Sequence, residues 1–254
     1  MEEKQKCVVL LSGGMDSLTT LAVAVEQNFE PYLIHLNYGQ KTEEAELKSF
    51  NKIATFYGIN EEHKIVCHTN FFSLLKGSSL IDKDIDIPKG NLESKSIPST
   101  YVPFRNGLLL SLAVSYAEKI GCKTIFFGAV SADSSGYPDC REEFIQKFRE
   151  CAETGTSNLQ GLKIIAPLVN LRKSQILALA TRLGAPLHYS WSCYKRNDLA
   201  CGECDSCLLR LRAFQEIGSS DPIPYAKFSK DKELTKVDKL VRLRRLLSAL
   251  TVRT

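Results

Sequence analysis

Over the first two-thirds of the chain, short β-branched runs alternate with longer stretches in which apolar residues recur every three or four positions. Cys7–Leu11 and Tyr32–Leu36 read as buried strands. Asp16–Val25 reads as a helix after a glycine turn. Thr42–Tyr57 reads as another, with Ala45, Phe50, Ile53, Ala54 and Tyr57 at helical spacing and a stop at Gly58. Further strands are predicted at Lys64–Cys67, Lys123–Gly128 and Ile164–Pro167. Helices are predicted over Arg105–Ile120, closed by Gly121, over Arg172–Leu183, closed by Gly184, and over Leu208–Phe214. Such alternation predicts an α/β fold: a doubly wound parallel sheet with helices on both faces. Ligands of such sheets bind beyond the carboxyl ends of the strands, so motifs that follow strands carry most weight.

Between Gly77 and Thr100 the periodicity fails. Ser, Lys, Asp, Gly and Pro dominate there, which predicts a long irregular connection, either a loose insertion or a cover over a substrate. The tail differs again. From Lys227 to Thr254 nine Lys and Arg stand against three Asp and Glu, a local charge of +6 in a chain whose net charge is +4. The rest of the molecule is nearly neutral, which speaks against a general nucleic-acid surface. Leu240, Val241, Leu243, Leu246, Leu247 and Leu250 fall on one face of a helix over Val237–Leu250, which suits packing on the body or on a second subunit better than RNA binding. At 254 residues, 44% of them hydrophobic, the chain can bury a full core without disulfides. No apolar run reaches membrane-spanning length and no secretory leader pattern opens the sequence, so a cytoplasmic protein with no membrane contact is expected.

The segment Leu11-Ser-Gly-Gly-Met-Asp-Ser17 lies between the first strand and the first helix. Two glycines allow a sharp turn and a close anion approach, and the free amides of a helix start favour negative charge. Ser12 and Ser17 add hydroxyl donors. Asp16 either helps to hold a magnesium ion beside phosphates or caps the helix. The kinase-type loop, Gly-x-x-x-x-Gly-Lys-Ser/Thr, and the dinucleotide fingerprint are both absent.

Nine cysteines include one tight group, Cys193, Cys201, Cys204 and Cys207. Four thiolates at this spacing suit a closed tetrahedral zinc site of the structural kind. Free core thiols or a redox or sulfur-carrying Cys-x-x-Cys pair are the alternatives. Neighbouring Tyr194, Lys195, Arg196, Arg210 and Arg212 give modest support to a nucleic-acid-binding zinc module. The histidines His35, His63, His68 and His188 show no ligand spacing and read as structural.

The Ser-Gly-Gly-x-Asp-Ser string resembles the pyrophosphate-binding loop of the ATP-pyrophosphatase (PP-loop) superfamily, whose members form adenylated intermediates. Other strings narrow the match: Tyr38-Gly-Gln40, Val102–Asn106, Ser135–Arg141, Ala166–Leu168, Trp191–Tyr194, and the cysteine group running into Leu-x-Arg-x-x-Ala-Phe214. Over Val8–Phe214 the chain resembles the 7-cyano-7-deazaguanine synthases of queuosine-precursor biosynthesis. That resemblance implies a Rossmann-like, adenine nucleotide alpha hydrolase-like domain over 1–187, a zinc-binding subdomain over 188–218 and a basic extension over 219–254. It implies a C–N-bond-forming ligase that uses ATP, magnesium and ammonia to turn 7-carboxy-7-deazaguanine into the nitrile through an adenylated acid and an adenylated amide. It also implies a homodimer that does not act on nucleic acid directly.

The family's ATP-binding loop maps onto Leu11, Ser12, Gly13, Gly14, Met15, Asp16, Ser17, Leu18, Thr19 and Thr20. Candidate catalytic residues are Asp16, Ser17, Arg105 and Asp133. Candidate substrate contacts are Arg105, Asn106, Asp133, Tyr137, Asp139 and Arg141, with surface ion pairs or helix caps as the plainer roles for them. A tRNA-thiolating relative, with a basic docking surface and a reactive cysteine pair, is the main alternative within the superfamily.

Overall fold

Among the described residues five strands form one sheet: β1 Lys6–Leu10, β2 Glu30–Asn37, β3 Lys64–His68, β4 Thr124–Phe126 and β5 Lys163–Ile165. Their spatial order is β3-β2-β1-β4-β5 and every pairing is parallel. Among the described residues seven helices accompany it: α1 Met15–Glu26, α2 Glu43–Phe56, α3 Phe71–Leu75, α4 Arg105–Ile120, α5 Glu142–Gly155, α6 Lys173–Arg182 and α7 Asp205–Glu216. The computed structural model describes residues 4–94, 96–131 and 137–226. The expected helix in the basic tail and the candidate Asp133 lie outside the described residues.

Successive side chains of a strand point to opposite faces, so β1 feeds two cores. Val8 and Leu10 join Ile34 and Ile125 under α4 and α5. Cys7 and Val9 join Leu33 and Phe126 under α1, α2 and α6. Because both faces are covered, the strands read as unbroken apolar runs, as parallel strands do. The expected helix stops also hold: Gly58, Gly121 and Gly184 all take positive φ, at 64°, 67° and 64°. At Gly121 the Cys122 amide reaches back to the Ala117 carbonyl at 2.8 Å and closes the last turn of α4.

Besides the short α3, which the sequence reading lacks, two longer segments depart from it. Helix α5 was not anticipated, although Phe144, Ile145, Phe148 and Ala152 give it an apolar stripe against the α4 side of the sheet. The irregular stretch from 77 to 100 has no regular element among its described residues, but it is pinned down. Leu80, Ile81 and Ile87 are buried, Ser79 N–H donates to the Ser99 carbonyl at 2.8 Å, and Gly90 N–H donates to the Glu203 carbonyl at 2.8 Å. A few apolar anchors in a polar sequence suffice to seat it.

The third core contains that loop, the end of β2 and the four clustered cysteines together. Beside it Arg210 is fully buried and all five of its N–H groups find acceptors. Nε and Nη2 fork onto Asp221 at 2.6 and 2.9 Å, Nη1 reaches Ser190 and Ser192, and Nη2 also reaches the Leu187 carbonyl. Arg210 is therefore an internal clamp, which removes it from any nucleic-acid surface. Its replacement by methionine leaves the Asp221 carboxylate, itself 2% exposed, without its counter-charge. Urea unfolding of Arg210→Met should show a loss of about 3–5 kcal/mol; a loss below about 1 kcal/mol, the range of an exposed pair, would refute the clamp.

Candidate active site

The strand order reverses about β1: β2 and β3 lie to one side, β4 and β5 to the other. A crevice opens beyond the strand ends at such a switch point. Here it is a cavity of roughly 240 Å³. Its floor comes from the turn after β1 and from Phe127 and Gly128 after β4, while Arg105, Lys173, Trp191 and Tyr194 stand in its walls.

The turn after β1 owes its shape to Gly13, whose φ of +89° is closed to most residues. A Cβ there would lie 2.6 Å from the Glu46 carbonyl and 2.9 Å from Ser49 Cβ, so the loop runs directly against α2. Gly128 is pressed in the same way, with Ser17 N and Thr20 Oγ1 both 3.2 Å from an added Cβ. Gly14 is the N-cap of α1 and supplies no side chain, which leaves the amides of the first turn without a cap. Ser12 Oγ and Ser17 Oγ lie 3.1 Å apart at that end, and Ser17 also donates to the Gly14 carbonyl.

Of the ten loop residues, Leu11, Ser12, Gly14, Met15, Asp16 and Ser17 line the cavity. Leu18 is sunk in the sheet core, and the buried Thr19 and Thr20 hydroxyls bond the carbonyls of Met15 and Asp16 one turn back. Asp16 is not the helix cap. Its carboxylate sits inside the first turn, where it accepts two bonds from Lys173 Nζ at 2.7 and 2.6 Å. Lys173 was not singled out from sequence. It opens α6, 157 residues away, and no local motif marks it.

Arg105 opens α4 and donates from Nη1 to the Tyr38 hydroxyl at 3.0 Å. Gly39, at φ +86°, turns the chain just after Tyr38, and Gln40 then bridges back. Its Oε1 takes the Tyr38 amide at 2.8 Å and its Nε2 donates to Glu46 at 3.0 Å. This accounts physically for the Tyr38-Gly-Gln40 string. Glu46 reaches the cavity wall, and burial pushes its carboxyl above the usual carboxylate range despite the Thr42 and Gln40 bonds. Arg105 and Lys173 share a feature. Each is a cation at the first position of its helix, where the macrodipole disfavours positive charge. Helix stability alone does not select them.

Asn106 also lines the cavity, with its amide nitrogen donating to Cys140 Sγ at 3.2 Å. Asp139 does not line it. Its buried Oδ2 takes the Asn106 backbone N–H at 2.9 Å and so holds the start of α4, while Oδ1 has no partner. Tyr137 shares a hydrogen bond with Thr100 at 3.0 Å, and Arg141 is exposed at the start of α5. Neither Tyr137 nor Arg141 is brought to the cavity wall.

His35 stays structural, as read from sequence. It lies under the loop between the Leu11 carbonyl and the Asn37 side chain, each at 2.9 Å, and burial lowers its pKa and keeps it neutral. A neutral ring donates one proton, here to Leu11, and accepts on the other nitrogen once the Asn37 amide presents Nδ2, the atom otherwise left without a partner.

The second constellation is the cysteine group. Four buried Sγ atoms lie within 4.8 Å of one another, an arrangement able to hold a metal ion. Main-chain amides aim at the sulfurs: Lys195 and Cys201 N–H at Cys193 Sγ, both 3.3 Å, and Glu203 and Cys204 N–H at Cys201 Sγ, both 3.4 Å. The neighbouring cations are occupied locally. Lys195 pairs with Glu203, Arg196 with Asp198 and Arg212 with Glu216, while Arg210 is buried and so offers nothing to a surface.

Fold and site together define a class, a parallel α/β protein that presents an anion-receptive loop at the switch point of its sheet. A family model described as "Queuosine biosynthesis protein QueC" matches residues 6–218, and the chain belongs to that family. It is 48% identical over 223 residues to the 7-cyano-7-deazaguanine synthase of Sulfurovum sp. (strain NBC37-1), covering 88% of this chain and 99% of that one. For the synthases of Chlorobium chlorochromatii (strain CaD3) and Nautilia profundicola the identities are 49% and 46%, with 87% of this chain covered in both cases and 96% and 98% of the relatives. Among the described residues no helix is long and apolar enough to cross a membrane.

Proposed function

We propose that the chain makes 7-cyano-7-deazaguanine from 7-carboxy-7-deazaguanine, ammonia and ATP in this cavity. The supporting observation is the uncapped start of α1 at the switch point, faced by the two cations that open α4 and α6. A carboxylate oxygen attacks the α-phosphorus of ATP, the bond to the bridging oxygen breaks and pyrophosphate leaves. Ammonia then adds to the acyl carbon and AMP departs, which gives the amide once a proton is lost. The amide oxygen attacks a second α-phosphorus in the same way, and loss of AMP and of both N–H protons leaves the carbon–nitrogen triple bond.

Hydroxide and oxide are poor leaving groups and AMP is a good one, so adenylation supplies the driving force. The protein supplies orientation and charge. The first-turn amides with Ser12 and Ser17 receive phosphate, and Asp16 suits the magnesium ion that neutralises it. Arg105, held by Tyr38, faces the substrate carboxylate or the departing AMP. For the cysteine group we favour zinc in a structural role. A tetrahedron with Zn–S bonds of 2.3 Å has sulfurs about 3.8 Å apart, and Cys201 Sγ and Cys207 Sγ are 3.8 Å apart. All four ligand positions are filled by protein, so no open position is left for catalysis.

Incubation of the purified protein with the carboxy-deazaguanine, ammonium, ATP and magnesium should give the nitrile with one AMP for each adenylation, read by mass spectrometry. ADP and phosphate in place of AMP would refute the mechanism.

A further inference from the structure

We propose that Glu46 is the base for the nitrogen nucleophile: its carboxylate receives ammonium and takes a proton from it as nitrogen bonds the acyl carbon. The inference rests on the reaction proposed above and assigns a carboxylate that this reaction leaves unused.

Among the described residues the cavity wall carries two carboxylates, Asp16 and Glu46. Asp16 stands at the phosphate end, in the first turn of α1. Glu46 comes from the first turn of α2. Its oxygens take Thr42 Oγ1 at 2.8 Å and Gln40 Nε2 at 3.0 Å, both neutral donors. Each oxygen keeps a lone pair for one further N–H. Arg105 acts on this carboxylate only through space, since its Nη1 goes to the Tyr38 hydroxyl, and Glu43 on the same helix repels it. A sheltered carboxylate held by neutral donors draws in a small cation. Helix stability does not account for it. Glu43 and Glu44 already bring negative charge to the first turn of α2, and of the three only Glu46 lines the cavity.

Its place suits the reaction. The Glu46 carbonyl presses on Gly13 of the phosphate loop. Through Gln40 the side chain is tied to Tyr38, which holds Arg105. Glu46 therefore links the end of the cavity that receives the α-phosphate to the end that faces the substrate carboxylate, and the acyl carbon belongs between them.

The chemistry requires such a group. Near neutrality ammonia is present mostly as ammonium, which has no lone pair with which to attack. Transfer of one proton to Glu46 leaves the N–H electron pair on nitrogen. That pair forms the bond to the acyl carbon, and the carbon–oxygen bond to AMP breaks with its pair leaving on AMP. A second proton then passes from nitrogen to water, which gives the neutral amide. The other polar groups of the wall are poorly suited. Arg105 and Lys173 offer donors only, and burial pushes the Tyr38 and Tyr194 hydroxyls up, so both stay phenols. Burial also raises the Glu46 carboxyl, which brings its hold on a proton nearer to that of ammonia.

Glu46→Gln keeps the shape and can still bond Thr42 and Gln40, but it is no base. Hydroxylamine is unprotonated near neutrality, so it attacks without first losing a proton. Full-length wild type and Glu46→Gln are compared with ammonium and with hydroxylamine, each with the carboxy-deazaguanine, ATP and magnesium. The variant should lose about a hundredfold to ten-thousandfold in kcat/KM for ammonium. Its KM for ATP and for the carboxy-deazaguanine should be unchanged, and it should form the hydroxamate close to the wild-type rate. A misfolded variant would lose both products together. Unchanged kcat/KM for ammonium, or an equal loss of hydroxamate, would overturn the inference and leave the adenylation reading standing. A raised KM for ATP or the carboxy-deazaguanine in place of the ammonium defect would overturn it too, and would assign Glu46 to that ligand. A wild type that yields neither hydroxamate nor AMP would overturn both.

Discussion

Replacing Cys204 by serine, or stripping the metal with a strong chelator, is expected to lower the melting temperature by more than about 10 °C and to abolish nitrile formation. A structural zinc site supplies folding free energy outright, of order 10–16 kcal/mol in isolated finger peptides. In a larger body only part of this is lost, and about 5 kcal/mol already corresponds to roughly 10–20 °C at this size.

The damage should spread because the cysteine group is not an appendage with a private core. Its four sulfurs share a buried cluster with Leu36, Tyr38, Leu80 and Ile87. The stretch from 77 to 100 is tied to it as well, through Gly90 N–H on the Glu203 carbonyl and Asn91 N–H on Asp205 Oδ1, both at 2.8 Å. Leu80 of that stretch stands in the cavity wall, and Trp191 and Tyr194 flank Cys193. Differential scanning fluorimetry, metal analysis and hydrogen exchange over 77–100 measure the effect. A metal-free protein with unchanged melting temperature and full activity would refute a structural metal.

The second large effect is predicted for Gly13→Ala. An added Cβ meets the Glu46 carbonyl at 2.6 Å and the Ser49 side chain at 2.9 Å, and the positive φ adds strain of its own. Neither obstacle is a flexible tip, since one is the backbone of α2. The loop must therefore shift, and it cannot shift alone, because the Gly13 carbonyl accepts the Trp191 amide at 2.9 Å. A displacement near 1 Å at a reacting centre costs about a hundredfold, so AMP release should fall by at least that factor. Thermal stability should fall only by the few kcal/mol of a local strain.

Gly58→Ala is the control. It carries the same kind of strain, at φ +64°, with nothing within 4 Å of the new methyl, and lies far along the chain from the loop. It should lose about 1 kcal/mol and keep its activity. Equal activity losses in the two variants would show that strain, not collision at the loop, is responsible.

The sequence by itself determined the strands and the helices other than α3 and α5, the order in which they alternate, and the glycine turn and cysteine spacing as local motifs. The α4 boundaries follow from apolar periodicity and from a glycine at the stop, and the glycine turn after β1 and the cysteine spacing are legible because each is written in neighbouring residues. Periodicity, turn chemistry and ligand spacing are local properties, so a one-dimensional string records them.

Only the tertiary structure decided which side chains meet. Parallel pairing about β1 brings Lys173 to Asp16, Arg105 to Tyr38 and Trp191 to Gly13, over sequence separations that no local pattern spans. The same packing turned Asp139 inward to hold α4, left Arg141 on the surface and buried Arg210 against Asp221. A charged residue looks the same in a sequence whether it faces a ligand, water or its own counter-ion. Burial and the partner across the gap settle that role, and both exist only once the chain has folded.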